Sequence, residues 1–287
     1  MFTNPAPTED ELNAYYSTKY RAEYKGVLTP KRKHVLRAGF RALERLERLR
    51  AYAKPPASVL PTSVLDVGAG GGEFAYLLAT AGYKVSGIEP NAGYAGYAKE
   101  SYGVDIQATT LDIADFKPEQ FDVITLHHVF EHLLDLRGAL AKLRGWLKPD
   151  GLIIIEVPNV MSWFHAPRRR FHAAHLHVFN QSGLEDVLRS AGFDIANTMI
   201  TPGPAHVNVV ARKASIIPAN FRNATAEVQK HFMRHTAVTH FLSGMALLRL
   251  WGNAMRPLRE KRYLNRLGEP RTGREILDRL YRLHLAV

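Results

Sequence analysis

Val64-Leu65-Asp66-Val67-Gly68-Ala69-Gly70-Gly71-Gly72-Glu73-Phe74 (VLDVGAGGGEF) is an apolar run that meets an aspartate and then breaks into glycines. The short apolar run predicts a buried strand, and the glycines predict a tight turn through backbone conformations that side chains disfavour. The residues that follow, EFAYLLATAG, read as a helix. Strand, glycine turn and helix open a doubly wound α/β sheet, whose ligand crevice lies beyond the carboxyl ends of its strands.

The pattern extends in both directions. Upstream, Asp10 to Tyr52 carries apolar residues at helical spacing, with Thr29-Pro30 as a helix start and Lys54-Pro55-Pro56 as its end. Downstream, helical stretches alternate with SVLDVG, KVSGIE, VDIQA, FDVITL, GLIIIEVP, FDIANTMI and HVNVVAR. This predicts a Rossmann-like, doubly wound, seven-stranded sheet, mostly parallel. The last two runs leave no room for a crossover helix, so the last strand is expected to be antiparallel. Helical segments flank the sheet at both ends. The expected organisation is a helical segment over 1–56, with a lid over cofactor or substrate as its candidate role, a binding domain over 57–215, and a basic helical extension over 216–287.

Charge bears on what the glycine turn holds. The pyrophosphate fingerprint G-x-G-x-x-G fails from Gly68, because its third glycine falls on Glu73; read from Gly70 it ends on Ala75 and stays open. Asp66 and Glu73, however, put carboxylates where a diphosphate would sit, so a cationic ligand fits better. Glu89, at the end of the second strand, suits ribose hydroxyls in either case.

At this point the chain resembles the class I S-adenosylmethionine-dependent methyltransferases. The resemblance rests on LDVGAGGGEF, SGIEPN, Asp112-Ile113, FDVITLHHVFEHLLD, WLKPDGLIIIEVPN and LEDVLRSAGF, which run in the family's order over roughly half the chain. It implies S-adenosylmethionine as cofactor. Asp66, Gly68, Ala69, Gly70 and Gly72 match the motif around its methionine part, Glu89 and Pro90 the ribose position, and Asp112 and Ile113 the adenine contacts. His127 joins the cofactor set at the end of the fourth strand.

The chain has no cysteine, which excludes disulfides, thiolate nucleophiles and thiolate metal sites. Proton removal from an alcohol or phenol acceptor therefore falls to another base. Seven of the 13 histidines lie between His127 and His177, behind the fourth and fifth strands, and imidazole titrates in the needed range. His128, Glu131 and His132, spaced i, i+3, i+4, would share one face of a helix begun there. They resemble an E-x-x-E-H pattern of ubiquinone-pathway O-methyltransferases, where the group holds a divalent metal. Here His128 replaces the first acid, against an oxygen-preferring Mg²⁺ site, so no metal is expected and a base or acceptor contact is favoured.

The loop WFHAPRRRFHAAHLHVFN resembles the acceptor-covering segment of a bacterial subgroup found with polysaccharide and glycoconjugate enzymes, whose H-L-x-H-F element is matched with an offset by His175, Leu176, His177 and Phe179. His128, His132 and His175 are the candidate bases. Glu131, His165, His172 and His177 are candidate acceptor contacts, with Arg168, Arg169 and Arg170 as an anion clamp or a solvated charge run. Tyr15, Tyr16, Tyr20 and Tyr24 near the N-terminus suit packing better than substrate contact.

The net charge of +11 raises the question of an acidic partner, and the excess sits mainly beyond Lys213. The segment HFLSGMALLRLWGNAMRPLREKRYLNRL suits an interfacial helix near anionic lipid, a docking surface, or a helix packed on the domain. The packed helix is favoured, because Gly244, Gly252 and Pro257 weaken a long continuous one. Homodimerisation through this region also stays open. The polar, acidic MFTNPAPTEDEL and the lack of a long apolar run suggest a cytoplasmic protein, with peripheral contact at the inner face of a membrane left open.

The function expected is methylation of an oxygen of a sugar or glycoconjugate precursor. The alternatives are a quinone-like small-molecule acceptor, a nucleic-acid methyltransferase, disfavoured by LHHVFEH after the fourth strand, and an NAD-dependent oxidoreductase. A non-catalytic cofactor-binding protein is the weakest alternative.

Overall fold

In the computed structural model the protein is described at residues 7, 8, 11, 30–53, 61–172, 174–201, 205–215 and 224–285. Tyr15, Tyr16, Tyr20, Tyr24, Thr29 and the Lys54-Pro55-Pro56 break lie outside the described residues.

The elements in chain order are α1 (Arg32–Arg50), β1 (Ser63–Val67), α2 (Glu73–Thr80), β2 (Lys84–Ile88), α3 (Ala92–Tyr102), β3 (Ile106–Gln107), β4 (Phe121–His127), α4 (Leu136–Trp146) and β5 (Leu147–Pro158). They continue with α5 (Gln181–Ser190), β6 (Phe193–Ile200), β7 (His206–Lys213), α6 (Thr225–Arg234), α7 (Ala237–Leu242), α8 (Met245–Arg266) and α9 (Gly273–Leu285). Short 3₁₀ turns occupy Phe130–His132 and Pro167–Arg169.

The strands form one seven-stranded sheet in the order β3-β2-β1-β4-β5-β7-β6. β1 and β2 pair in parallel with Val64 opposite Val85, and β2 and β3 likewise. The expected antiparallel end is present: β7 runs antiparallel to β5, with Ile154 opposite Val210, and to β6, with a bulge between Ile195 and Asn197. β1 is buried at every position, as a strand covered on both faces must be, while β6 alternates and ends exposed, as an outer strand does. Two boundaries differ from expectation. β3 shrinks to two residues, and β5 begins at Leu147, immediately after α4, instead of at Gly151.

By internal contacts the chain divides into two compact units. One takes the described residues of Pro7–Thr125, Trp146–Lys148 and Leu258–Val287; the other takes those of Leu126–Gly145 and Pro149–Pro257.

In the first unit, α9 buries Ile276, Leu277, Leu280 and Tyr281. Its side chains close on Gly39 of α1, where a Cβ would meet Leu280 Cδ2 at 2.7 Å, so the glycine permits close helix packing. The Tyr281 hydroxyl donates to the carbonyl of Glu73 at 2.8 Å, fastening α9 to the first residue of α2. The C-terminal helix thereby supports the helix that follows the glycine turn.

In the second unit, Asn180 caps α5 by accepting from the Gly183 amide at 3.0 Å. The buried Glu185 carboxylate accepts from Gln181, Thr198 and Arg189, which ties α5 to β6.

Candidate functional site

The glycine turn is built as its composition requires. Gly68, Gly70 and Gly72 hold φ of 72°, 60° and 83°, left-handed conformations in which a side chain is strained. The amides of Gly68 and Ala69 both donate to the carbonyl of Ile88, at 2.8 and 3.0 Å, which folds the turn over the end of β2. At Gly72 a Cβ would lie 2.6 Å from Ala98 Cβ, so this position is closed to any other residue.

Carboxylates surround the turn. Glu89 is buried; its Oε2 accepts from the Gly70 amide at 2.9 Å and its Oε1 from the Asn91 amide at 3.2 Å, across half-buried Pro90. Buried Asp66 accepts from the Thr125 hydroxyl at 2.8 Å. Glu73, also buried, opens α2. Three buried acids beside one turn disfavour a diphosphate and suit a ligand with positive charge and sugar hydroxyls. Glu89 thus fixes the turn through its own carboxylate, a link that its spacing from Gly70 did not disclose. Past β3, Asp112 is exposed and Ile113 is 71% exposed, leaving an apolar side chain available for a planar ring.

The second unit gathers the histidines. His127 closes β4 and is buried. The expectation that His128, Glu131 and His132 share a helix face is corrected: α4 starts only at Leu136, Glu131 and His132 lie on the 3₁₀ turn Phe130–His132, and His128 precedes that turn at φ 59°. Backbone curvature brings them together nevertheless. Nδ1 of His128 lies 3.5 Å from Oε1 of Glu131 and its Nε2 lies 3.2 Å from Oε1 of Glu156. His132 Nε2 is 3.9 Å from the same Glu131 oxygen. The Glu131 side chain is 1% exposed, and neither of its oxygens has a hydrogen-bond partner among the described residues.

The loop after β5 closes round this group. The His132 ring packs edge-on to that of His175, with centroids 4.9 Å apart, and His172 packs against His175 at the same distance. The His177 amide donates to the Glu131 carbonyl at 3.0 Å, and the His172 Nδ1 accepts from the Ala174 amide at 3.2 Å. The anticipated bases His128, His132 and His175 are therefore neighbours, with Glu131, His172 and His177 around them.

The protonation states separate. Burial pushes the His128 imidazole down, but the carboxylates of Glu131 and Glu156 outweigh it and raise its pKa to about 8. Burial lowers the pKa of His175 to about 4, helped by the neighbouring His132. His132 is lowered too, by burial against the opposing pull of Glu131. Burial raises the Glu131 carboxyl, yet His128 and His132 bring it below the ordinary value. At neutral pH the cluster holds one imidazolium between carboxylates and two neutral imidazoles. The tautomer of His132 follows from its Nδ1 lying 2.7 Å from the Ala174 carbonyl oxygen: a carbonyl only accepts, so Nδ1 carries the proton and Nε2 keeps a lone pair.

Sequence reasoning missed Glu156 and His206. Glu156 is buried, and as the one charge in GLIIIEVP it was a legible signal. His206 carried none, because only the β5–β7 register, which sets it opposite Pro158, delivers its ring 4.6 Å from that of His128. Among the described residues, His128, Glu156 and His206 form one set of ligand atoms within 4.8 Å, and Glu131, His132 and His175 another. Each offers two imidazoles and one carboxylate, a donor set suited to a nitrogen-tolerant divalent ion and not to Mg²⁺.

The arginine run divides. Arg168 is exposed, and the side chain of Arg169 lies outside the described residues. Arg170 donates to His235 Nδ1 at 3.0 Å and lies 3.9 Å over the Phe232 ring, so it is engaged by α6 and the residue after it. His165 packs on Phe164.

Comparison with known proteins follows the same lines. A family model described as a methyltransferase domain matches residues 33–198. A probable S-adenosylmethionine-dependent methyltransferase of Mycolicibacterium smegmatis is 26% identical over 167 residues, 57% of this chain and 65% of that protein. A ubiquinone biosynthesis O-methyltransferase of Pseudomonas syringae pv. tomato is 32% identical over 128 residues, 42% of this chain and 55% of its own length. The chain thus spans less than two thirds of these curated relatives. Among solved structures, the 1,6-didemethyltoxoflavin-N1-methyltransferase of Burkholderia thailandensis, with bound 1,6-didemethyltoxoflavin and S-adenosylhomocysteine, superposes with a TM-score of 0.54 at 20% identity, covering 74% of this chain and 93% of that one. An S-adenosylmethionine-dependent methyltransferase of Archaeoglobus fulgidus gives 0.51 at 18% identity, covering 68% and 98%. At these identities the two structures speak for the fold.

Proposed function

The chain belongs to the methyltransferase domain family, and from that premise we propose that it transfers the methyl group of S-adenosylmethionine to a hydroxyl oxygen, with His132 as general base. The observation that carries this reading is the 2.7 Å contact between His132 Nδ1 and the Ala174 carbonyl, which leaves Nε2 as a proton acceptor. The glycine turn fits the cofactor: its closed Gly72, the buried carboxylates of Asp66 and Glu89, and exposed Ile113 correspond to a cationic amino-acid part, ribose and adenine.

When bound, S-adenosylmethionine supplies an electrophilic methyl group on a sulfonium. This chain's residues do the rest. His132 takes the hydroxyl proton on Nε2 and holds it beside Glu131, whose buried carboxylate stabilises the imidazolium that forms. His128, charged at neutral pH with its two ring nitrogens directed at Glu131 and Glu156, supplies a fixed positive charge beside the acceptor. His175 packs on His132 and limits its ring orientation.

For the acceptor we favour a sugar or glycoconjugate precursor, because a cluster of imidazoles and carboxylates offers hydrogen-bond partners to several hydroxyls at once. A phenolic, quinol-type acceptor is the second reading. It is supported by the names of curated relatives and by the weak basicity of His132 and His175, since a phenol near pKa 10 needs less base than an alcohol. The test is calorimetric titration with S-adenosylmethionine, S-adenosylhomocysteine and NAD, followed by methyl transfer to nucleotide sugars, glycolipids and catechols in parallel. Binding of the adenosyl compounds with turnover of the sugar acceptors supports the first reading, and turnover of catechols alone the second. Binding of NAD alone overturns both.

A further inference from the structure

The helix expected to pack over the basic tail does so only in its second half, and the expected weakening at Gly252 and Pro257 does not break it. α8 runs unbroken from Met245 to Arg266 through Gly252 and Pro257, and none of its residues is buried. Together with α7 it exposes Phe241, Leu242, Leu247, Leu248 and Trp251, each more than half accessible, Leu242 reaching 77%. Apolar exposure on this scale marks a surface that meets something.

Helical spacing orders the face. Leu247, Trp251 and Met255 succeed one another at i+4, and Arg259 is the next member of that row; Leu258 leads by the same step to Arg262 and Arg266. One stripe therefore begins apolar and ends cationic, with Arg249 and Arg256 on the opposite side of the first turns. The second half is seated through other residues: Glu260 pairs with Arg37, and Tyr263 packs edge-on against Phe40 of α1. Arg259, Arg262 and Arg266 stay exposed. Between Glu227 and Glu260 the chain carries no acid.

We propose that this face docks on an anionic lipid surface, lying in the interface with its leucines and Trp251 inserted and the arginines on lipid phosphates. Charge complementarity selects this occupant. The stripe carries no acid, so a second copy presenting the same face brings its arginines no negative charge, whereas an anionic bilayer offers apolar depth and negative charge together. The contact is peripheral, since no described helix is long and apolar enough to cross a membrane. The proposal is independent of the acceptor.

The experiment uses the full chain, sedimented with vesicles of phosphatidylcholine alone or mixed with phosphatidylglycerol. Binding to the mixed vesicles should be at least about tenfold stronger and should weaken with salt. The double variant Leu247→Glu/Trp251→Glu and the triple variant Arg259→Gln/Arg262→Gln/Arg266→Gln should each lose it while keeping the wild-type circular dichroism. Trp251→Phe, the mildest change, should still bind but lose the blue shift of tryptophan emission. Absence of binding, equal binding to both vesicles, or wild-type binding by the double and triple variants would overturn the proposal. So would a stable dimer that the double variant dissolves and that binds neither vesicle, which would give the face to a second copy.

Discussion

Nδ1 of His132 donates to the carbonyl oxygen of Ala174 across 2.7 Å, and that contact decides which nitrogen of the ring can accept a proton. His132→Ala should therefore leave cofactor affinity unchanged and reduce turnover by about 10²- to 10⁴-fold, the range of general-base catalysis. Calorimetry and initial rates on the same preparation separate the two effects. Full turnover in the variant would remove His132 as a needed base.

Gly70 combines a φ of 60° with an amide held by Glu89 at 2.9 Å. Gly70→Arg places a long side chain in a left-handed turn and fills the cradle, so S-adenosylmethionine binding should disappear. Normal affinity in this variant would disprove the placement of the cofactor.

The pH dependence follows from opposite shifts. His128 has its pKa raised to about 8 from 6.5, so its stabilising contribution is complete below pH 6.5 and is lost as the pH climbs through 8. His175 is lowered to about 4, so its contribution is present above pH 6.5 and is lost as the pH falls towards 4. The pH–rate profile should have an alkaline limb near 8, and in Glu156→Gln, which loses one of the charges raising His128, that limb should move to lower pH. An unmoved limb would separate His128 from activity.

Metal dependence has a direct check. Each metal-capable trio includes a histidine with an acid–base assignment: His128 in one, His132 and His175 in the other. Dialysis against a chelator should leave turnover unchanged. Loss of activity restored by one divalent ion, with affinity for S-adenosylmethionine intact, would reassign those residues as ligands.

The Tyr281 hydroxyl bonds to the Glu73 carbonyl at 2.8 Å inside the packing of α9 on α2. Tyr281→Phe should lower stability by about 1 kcal/mol, the net worth of one hydrogen bond, read as a reduced urea midpoint with an unchanged slope. An unaltered midpoint would show that apolar packing alone secures α9.

The sheet was legible because its causes are local. Apolar runs set the seven strands, glycines with positive φ set the turn after β1, and the missing crossover between the last two strands set their antiparallel pairing. The carboxylates at Asp66, Glu73 and Glu89 also spoke from position alone, since each sits at a strand end or helix start. The site after β4 was only half legible. Its histidines could be counted, but their grouping was attributed to a helix that does not begin until Leu136.

What the amino-acid order by itself determined was the fold, the cofactor turn and the stock of titratable groups. What only the tertiary structure decided was their acid–base character. Glu156 and His206 reach His128 through the pairing of β5 with β7, and the Ala174 carbonyl reaches His132 through the path of a loop 42 residues further on. A pKa depends on charges and burial in space, and a tautomer on one acceptor a few ångströms away, so neither is written in spacing along the chain. The exposure of α8 has the same origin: periodicity marks an apolar stripe, but packing alone settles whether anything in the chain covers it.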